Sequence, residues 1–169
     1  MAAQINAGTR TSWTPPSASE RLALLDRTQS VAIVGVSANP SRPSNFVATY
    51  LLSSSANFDV YFVNPTVDSL LGQPCYPTLA DLPVVPDLVD VFRRSEDLLG
   101  VAREAIDIGA SAFWGQLGLM SQEAAGLAAA AGLDVVMDRC LKIEHARFHG
   151  GLHLAGFDTG VIDSRRRAR

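Results

Sequence analysis

Short runs that are apolar at nearly every position alternate with amphipathic stretches along most of the chain. "VAIVGV", from residue 31, is apolar throughout, which predicts a strand buried on both faces. "FDVYFVNP" predicts a second strand stopped by Pro65, "LVDVFR" a third, "ASAFWG" a fourth and "LDVVMD" a fifth. The stretches between them read as helices. "ASERLALLDRTQ" is opened by Ser17 or Ser19, and "SNFVATYLLSS" by Ser44. In "SEDLLGVAREAIDIG" Ser95 is the expected cap, Glu96 and Asp97 suit the positive first turn, and Gly109 closes the helix. "SQEAAGLAAAAG" and a segment near "CLKIEHARF" complete the set. "LGQPCYPTLADLPVVPD" carries four prolines and predicts a long, ordered surface connection instead of a helix.

Doubly apolar strands alternating with amphipathic helices require a parallel sheet covered on both sides, a doubly wound α/β domain with three layers, α/β/α. Right-handed crossovers bring the carboxyl ends of the strands to one edge, where ligands sit at the point of strand-order reversal. The loops after Val36, Val63, Phe92 and Trp114 are therefore the candidate ligand loops. At 169 residues the chain suits one such domain. A flexible arm is expected over residues 1–16, the domain over 17–150, and a tail with a basic end over 151–169.

Composition narrows the partners. A net charge of −3 gives no general attraction to nucleic acid. The exception is the terminal "SRRRAR", which reads as a solvated tail. No apolar run is long enough to cross a bilayer, and the start lacks the pattern of a secretory signal, so a cytoplasmic protein is expected. Cys75 and Cys140 are too few for a disulfide framework and are expected as free thiols.

The loop "GVSANPSRPSN" carries the chemistry. A redox dinucleotide fits it badly. Only Gly35 remains of the glycines that let backbone approach a pyrophosphate, and Asn64-Pro65 stands where a ribose-binding acid is expected. A Walker loop fails too, since the one lysine is Lys142. An anion still suits the loop. Ser37, Ser41 and Ser44 offer hydroxyls, a helix N-terminus faces it, and Arg42 supplies a fixed cationic fork. Arg93 and Arg94 leave the third strand at the same edge, which points to a multiply phosphorylated ligand; capping and pairing with carboxylates are the plainer roles for these arginines.

The succession "AIVGVSANPSRPSNFVATYL", "VYFVNP", "GQPCYPTLADLP", "DLVDVFRRSED", "AREAIDIGA", "WGQLGL" and "GLDVVMDRCLKIEHARF" resembles the small bacterial and archaeal CoA-binding proteins. More distantly it is similar to the CoA-binding domain of the succinyl-CoA synthetase alpha chain. The likeness spans roughly residues 20 to 164. It implies a Rossmann-like, nucleotide-binding domain with coenzyme A as its ligand. Gly35, Val36, Ser37, Arg42, Pro43 and Ser44 would form the phosphate loop. Asn64 and Pro65 would border the adenosine, and Phe92, Arg93 and Arg94 the path of pyrophosphate or pantetheine. Coenzyme A carries a phosphate on its ribose, so it favours arginine and has no use for a ribose-binding acid. The synthetase's phosphorylated histidine belongs to a second domain that is not in this sequence, so no catalytic residue is carried over. Gly115 stands where members commonly have a bulkier apolar residue, which predicts a freer backbone after the fourth strand.

Two further groups hold potential ligands or nucleophiles. His145, His149 and His153 recur every four residues, but Gly150 and Gly151 should end the helix before His153, so no metal site is assigned. Cys140 follows the fifth strand beside Arg139 and Lys142, cations that favour a thiolate, and is a candidate contact for the thiol of CoA. A small-molecule ligand, CoA or an acyl-CoA, is thus the expected partner, with neither nucleic acid nor membrane; the sequence leaves homo-oligomerisation or service as a partner subunit open. The leading expectation is a CoA-binding protein without assigned catalysis. The alternative is an enzyme acting on CoA thiol or acyl-CoA through Cys140, or an NAD(P)-dependent reductase.

Overall fold

The computed structural model describes residues 12–53 and 57–149. Within them the chain runs α1 (Ala18–Arg27), β1 (Ser30–Val34), α2 (Pro43–Leu51), β2 (Asp59–Val63), β3 (Ser69–Leu70), β4 (Gln73–Tyr76), β5 (Leu88–Val91), α3 (Leu98–Asp107), β6 (Ala112–Gly115), α4 (Gln122–Ala130), β7 (Asp134–Val136) and α5 (Leu141–His149). The sheet order is β3-β4-β2-β1-β5-β6-β7, and all pairings are parallel except β3 with β4. The order reverses between β1 and β5, and the expected doubly wound, Rossmann-like sheet is present.

The period-two alternation of each strand divides the core. Val31, Ile33, Leu88 and Trp114 face α1, α2 and α5, while Ala32, Val89, Val91 and Phe113 face α3 and α4. The side toward α3 and α4 takes alanines, including Ala102, Ala105, Ala124 and Ala128, all without solvent exposure. Small side chains let these helices lie close to the sheet. On the other side Arg21 of α1 and Glu144 of α5 form a buried ion pair at 2.8 Å, with Arg139 at 3.3 Å and Arg147 at 3.8 Å completing the surroundings of Glu144.

Several local expectations change. Ser17, not Ser19, caps α1, in a reciprocal capping box with Glu20. α2 opens one residue before Ser44, with Pro43 in its first turn and no side-chain cap. Ser95 does not cap α3: residues Ser95–Asp97 form a 3-10 turn that leads into it. The proline-rich connection contains β3 and β4, an antiparallel pair at the sheet edge, and then a 3-10 turn closed by Thr78 and Asp81. Pro74 lies in β4 opposite Ser69 of β3 and brings no N–H to the ladder; the pairing there is carried by its neighbour, Cys75 N–H donating to Asp68 O at 2.9 Å. Of the arm expected over residues 1–16, only the part from residue 12 is described. There Trp13 donates its indole N–H to Val135 O at 3.2 Å. The C-terminal tail, with its arginines and His153, lies outside the described residues.

Candidate functional site

The site begins where β1 ends. The chain turns at Gly35 with φ at +84°, and a Cβ there would stand 2.3 Å from Phe92 O. Only glycine lets the loop after β1 cross so close to the end of β5. Gly35 N–H donates to Val63 O and Phe92 N–H to Val34 O, both at 2.8 Å, so three strand ends are locked together. Beyond Gly35 the loop is held by its own side chains. Ser44 Oγ accepts from Ser37 N–H at 3.0 Å, Asn45 Nδ2 donates to Ser37 O at 3.0 Å, and Asn39 Oδ1 accepts from Ser41 N–H at 2.9 Å.

Loop and strand ends border a cavity of about 600 Å³, a size suited to a small-molecule cofactor. One wall is polar: Gly35, Ser37, Arg42, Pro43 and Ser44, with Arg93 beside them. The opposite wall comes from the loop after β6, through Gln116, Leu117 and Leu119, from Cys140 just before α5, and from Ile143 on α5. Leu117 and Ile143 are 68% and 43% exposed, large apolar side chains at the cavity's border. Arg42 and Arg93 are exposed and have no ion-pair partner among the described residues, whereas Arg94 lies outside the lining and pairs with Glu96 at 3.4 Å. Two guanidinium groups without counter-ions beside an uncapped helix N-terminus make this wall attractive to phosphate.

Eight of the residues singled out from the sequence therefore line one cavity: Gly35, Ser37, Arg42, Pro43, Ser44, Phe92, Arg93 and Cys140. Val36, Asn64, Pro65 and Arg94 do not. Val36 is buried in the core, and Asn64 Nδ2 donates to its carbonyl at 2.8 Å. Asn64 Oδ1 accepts from Thr66 N–H at 2.9 Å, and Pro65 is exposed. Cys140 directly precedes α5, its carbonyl accepting from Glu144 N–H at 3.0 Å. Both cysteines are free; burial, its largest influence, pushes the Cys75 thiol up. The backbone at Gly115 is not freer. A Cβ there would meet Met137 Sδ at 2.7 Å, and the loop that follows is tied down by Gly118 N–H donating to Asp138 Oδ1 at 2.6 Å.

Sequence reasoning missed Val47, Gln116, Leu117, Leu119 and Ile143 in the lining. It also missed Asp90, the fully buried acid that accepts from Gln116 Nε2 at 2.5 Å. Burial pushes its carboxyl up to about 8, with the Gln116 hydrogen bond acting the other way. The signal was present as a lone acid inside "LVDVF". His145 and His149 lie on α5 with ring centroids 4.5 Å apart, and Tyr50 OH is 2.8 Å from His145 Nδ1.

Residues 29–146 match the family model described as CoA binding domain. The chain belongs to that CoA-binding family. An uncharacterized protein of Bacillus subtilis (strain 168), YneT, is 39% identical over 131 residues, covering 78% of this chain and 96% of the relative. A hypothetical protein from Pyrococcus horikoshii OT3 superposes with a TM-score of 0.75 at 36% identity, covering 82% of this chain and 99% of that one. The apo form of an acetyl-coenzyme A synthetase from Ca. Korarchaeum cryptofilum matches at a TM-score of 0.60 and 25% identity, over 69% of this chain but only 28% of the synthetase. As a member of the CoA-binding family, the chain is an α/β domain for a small-molecule ligand. No helix among the described residues is long and apolar enough to cross a membrane.

Proposed function

We propose that this CoA-binding domain holds coenzyme A in the cavity at the carboxyl edge of its sheet, as a cytoplasmic binding protein without a catalytic residue of its own. The observation that carries this reading is the pair Arg42 and Arg93, both lining the cavity and both without a carboxylate partner among the described residues. Ser37, Arg42 and Ser44 serve the phosphates at the start of α2, and Arg93 adds the second cation. Phe92, Leu117 and Ile143 offer apolar surface to the pantetheine arm. Asn64 acts indirectly, by holding Val36 and hence the loop.

Isothermal calorimetry tests the reading with CoA, dephospho-CoA and NAD. CoA should bind most tightly and NAD least, because the ribose phosphate has an arginine partner. Equal affinities for the three would overturn it.

A second reading is favoured by the position of Cys140 in the same cavity wall. Its thiolate attacks one sulfur of CoA disulfide, the S–S bond breaks, one CoA leaves as thiolate, and a mixed disulfide remains on Cys140. Intact-mass spectrometry after incubation with CoA disulfide should show one added CoA, absent in Cys140→Ser. An unmodified protein that still binds CoA would refute it.

A further inference from the structure

Asp90 sits inside β5, between Ile33 of β1 and Trp114 of β6, with no solvent exposure. One of its oxygens accepts from Gln116 Nε2 at 2.5 Å. The other, Oδ2, is the buried side-chain oxygen or nitrogen left without a partner among the described residues. An orphaned buried polar atom is costly, since it forfeits its hydrogen bonds to water, and a valine would suit this strand better. What distinguishes Asp90 is where its partner leads. Gln116 is 4% exposed, yet it lines the cavity.

The amide of Gln116 has two ends. Its nitrogen is taken by Asp90, and the amide is planar, so the oxygen is held away from that bond. No donor among the described residues reaches Gln116 Oε1, and it is not among the buried orphan atoms. It is therefore accessible, and the space Gln116 borders is the cavity. A positioned acceptor in an otherwise apolar wall of Leu117, Leu119 and Ile143 calls for an N–H donor on an extended, mostly apolar ligand.

We propose that Asp90 and Gln116 form a reader for a secondary amide: Asp90 positions Gln116, and Gln116 Oε1 accepts an N–H from the amide-bearing chain of the ligand. This rests on coenzyme A as the ligand, whose pantetheine arm carries such amides. Gln116 is the contact residue and Asp90 a positioning residue. The carboxyl raised to about 8 is the cost of burying that acid.

The test is calorimetry with CoA and with adenosine 3′,5′-bisphosphate, which lacks the pantetheine arm. Gln116→Met, which keeps the side-chain volume, should weaken CoA about tenfold, the worth of one hydrogen bond, and leave the bisphosphate within about twofold. Asp90→Val should do the same, whereas Asp90→Asn keeps an acceptor for Gln116 and should retain CoA affinity. Gln116→Met lies at the cavity wall, so the test does not depend on the Asp90 variants folding. Equal losses for both probes, or no loss for CoA in Gln116→Met, would overturn the pair. So would a wild-type protein that binds CoA no more tightly than the bisphosphate, although coenzyme A would stand as ligand. Binding of neither probe would sink the coenzyme A reading itself, and the pair with it.

Discussion

At the scale of single residues, the site depends on one glycine and two arginines. Gly35 combines a positive φ with a position 2.3 Å from Phe92 O for any added Cβ. Backbone atoms cannot yield as a side-chain tip can, so Gly35→Ala should destabilise the protein by at least about 2 kcal/mol; urea unfolding would measure it. Arg42 is exposed and without an ion-pair partner among the described residues, so the proposed function gives it a role toward the ligand. Arg42→Ala should leave the melting temperature nearly unchanged and weaken CoA by about 1.5–3 kcal/mol, the range for a hydrogen bond to a charged group. Calorimetry beside a thermal melt separates the two effects. These residues were legible in the sequence because a loop glycine after an apolar strand and a cation beside serines carry their chemistry locally. Asp90 and Gln116 were not. They lie 26 positions apart and meet only because β5 and β6 pair in register.

Among the secondary-structure elements, His145 of α5 and Asp90 of β5, both buried, have opposite pH dependence. His145 on α5 contacts Tyr50 of α2; burial, and then His149, lower its pKa to about 4 from 6.5, while Asp26 acts the other way. The unfolded chain takes up that proton first, so this contribution is complete above about 6.5 and is lost as pH falls toward 4. Asp90, raised to about 8 from 3.8, contributes stability that is complete below 3.8 and is lost as pH rises through 8. Between about 6.5 and 8 only Asp90 of this pair titrates. Wild type should therefore lose stability across that window in denaturant titrations, and Asp90→Asn should not. Most elements were predictable from hydrophobic period and caps. The edge hairpin β3-β4 was not, because Pro74 within it and the three prolines that follow mask strand pairing that is decided by the neighbouring β2.

For the whole molecule, strand order places the site. β1 and β5 flank the reversal, and the loops leaving them form the polar wall of the cavity. A ligand that binds only the folded protein stabilises it by mass action, about 4 kcal/mol at a thousand times its Kd. At roughly 2–4 °C per kcal/mol for a domain of this size, saturating CoA should raise the melting temperature by about 8–16 °C. NAD at the same concentration should give a much smaller shift, read by differential scanning calorimetry.

The sequence by itself determined the α/β alternation, the glycine turn, the arginine-bearing loop and the family likeness. Each of these is written in neighbouring residues or in a period along the chain. Tertiary structure alone decided which arginines lack an ion-pair partner among the described residues, that Gly115 is packed against Met137, and that Asp90 meets Gln116 beneath the cavity. Those outcomes depend on distances between segments remote in the chain, and a one-dimensional pattern carries no such distance.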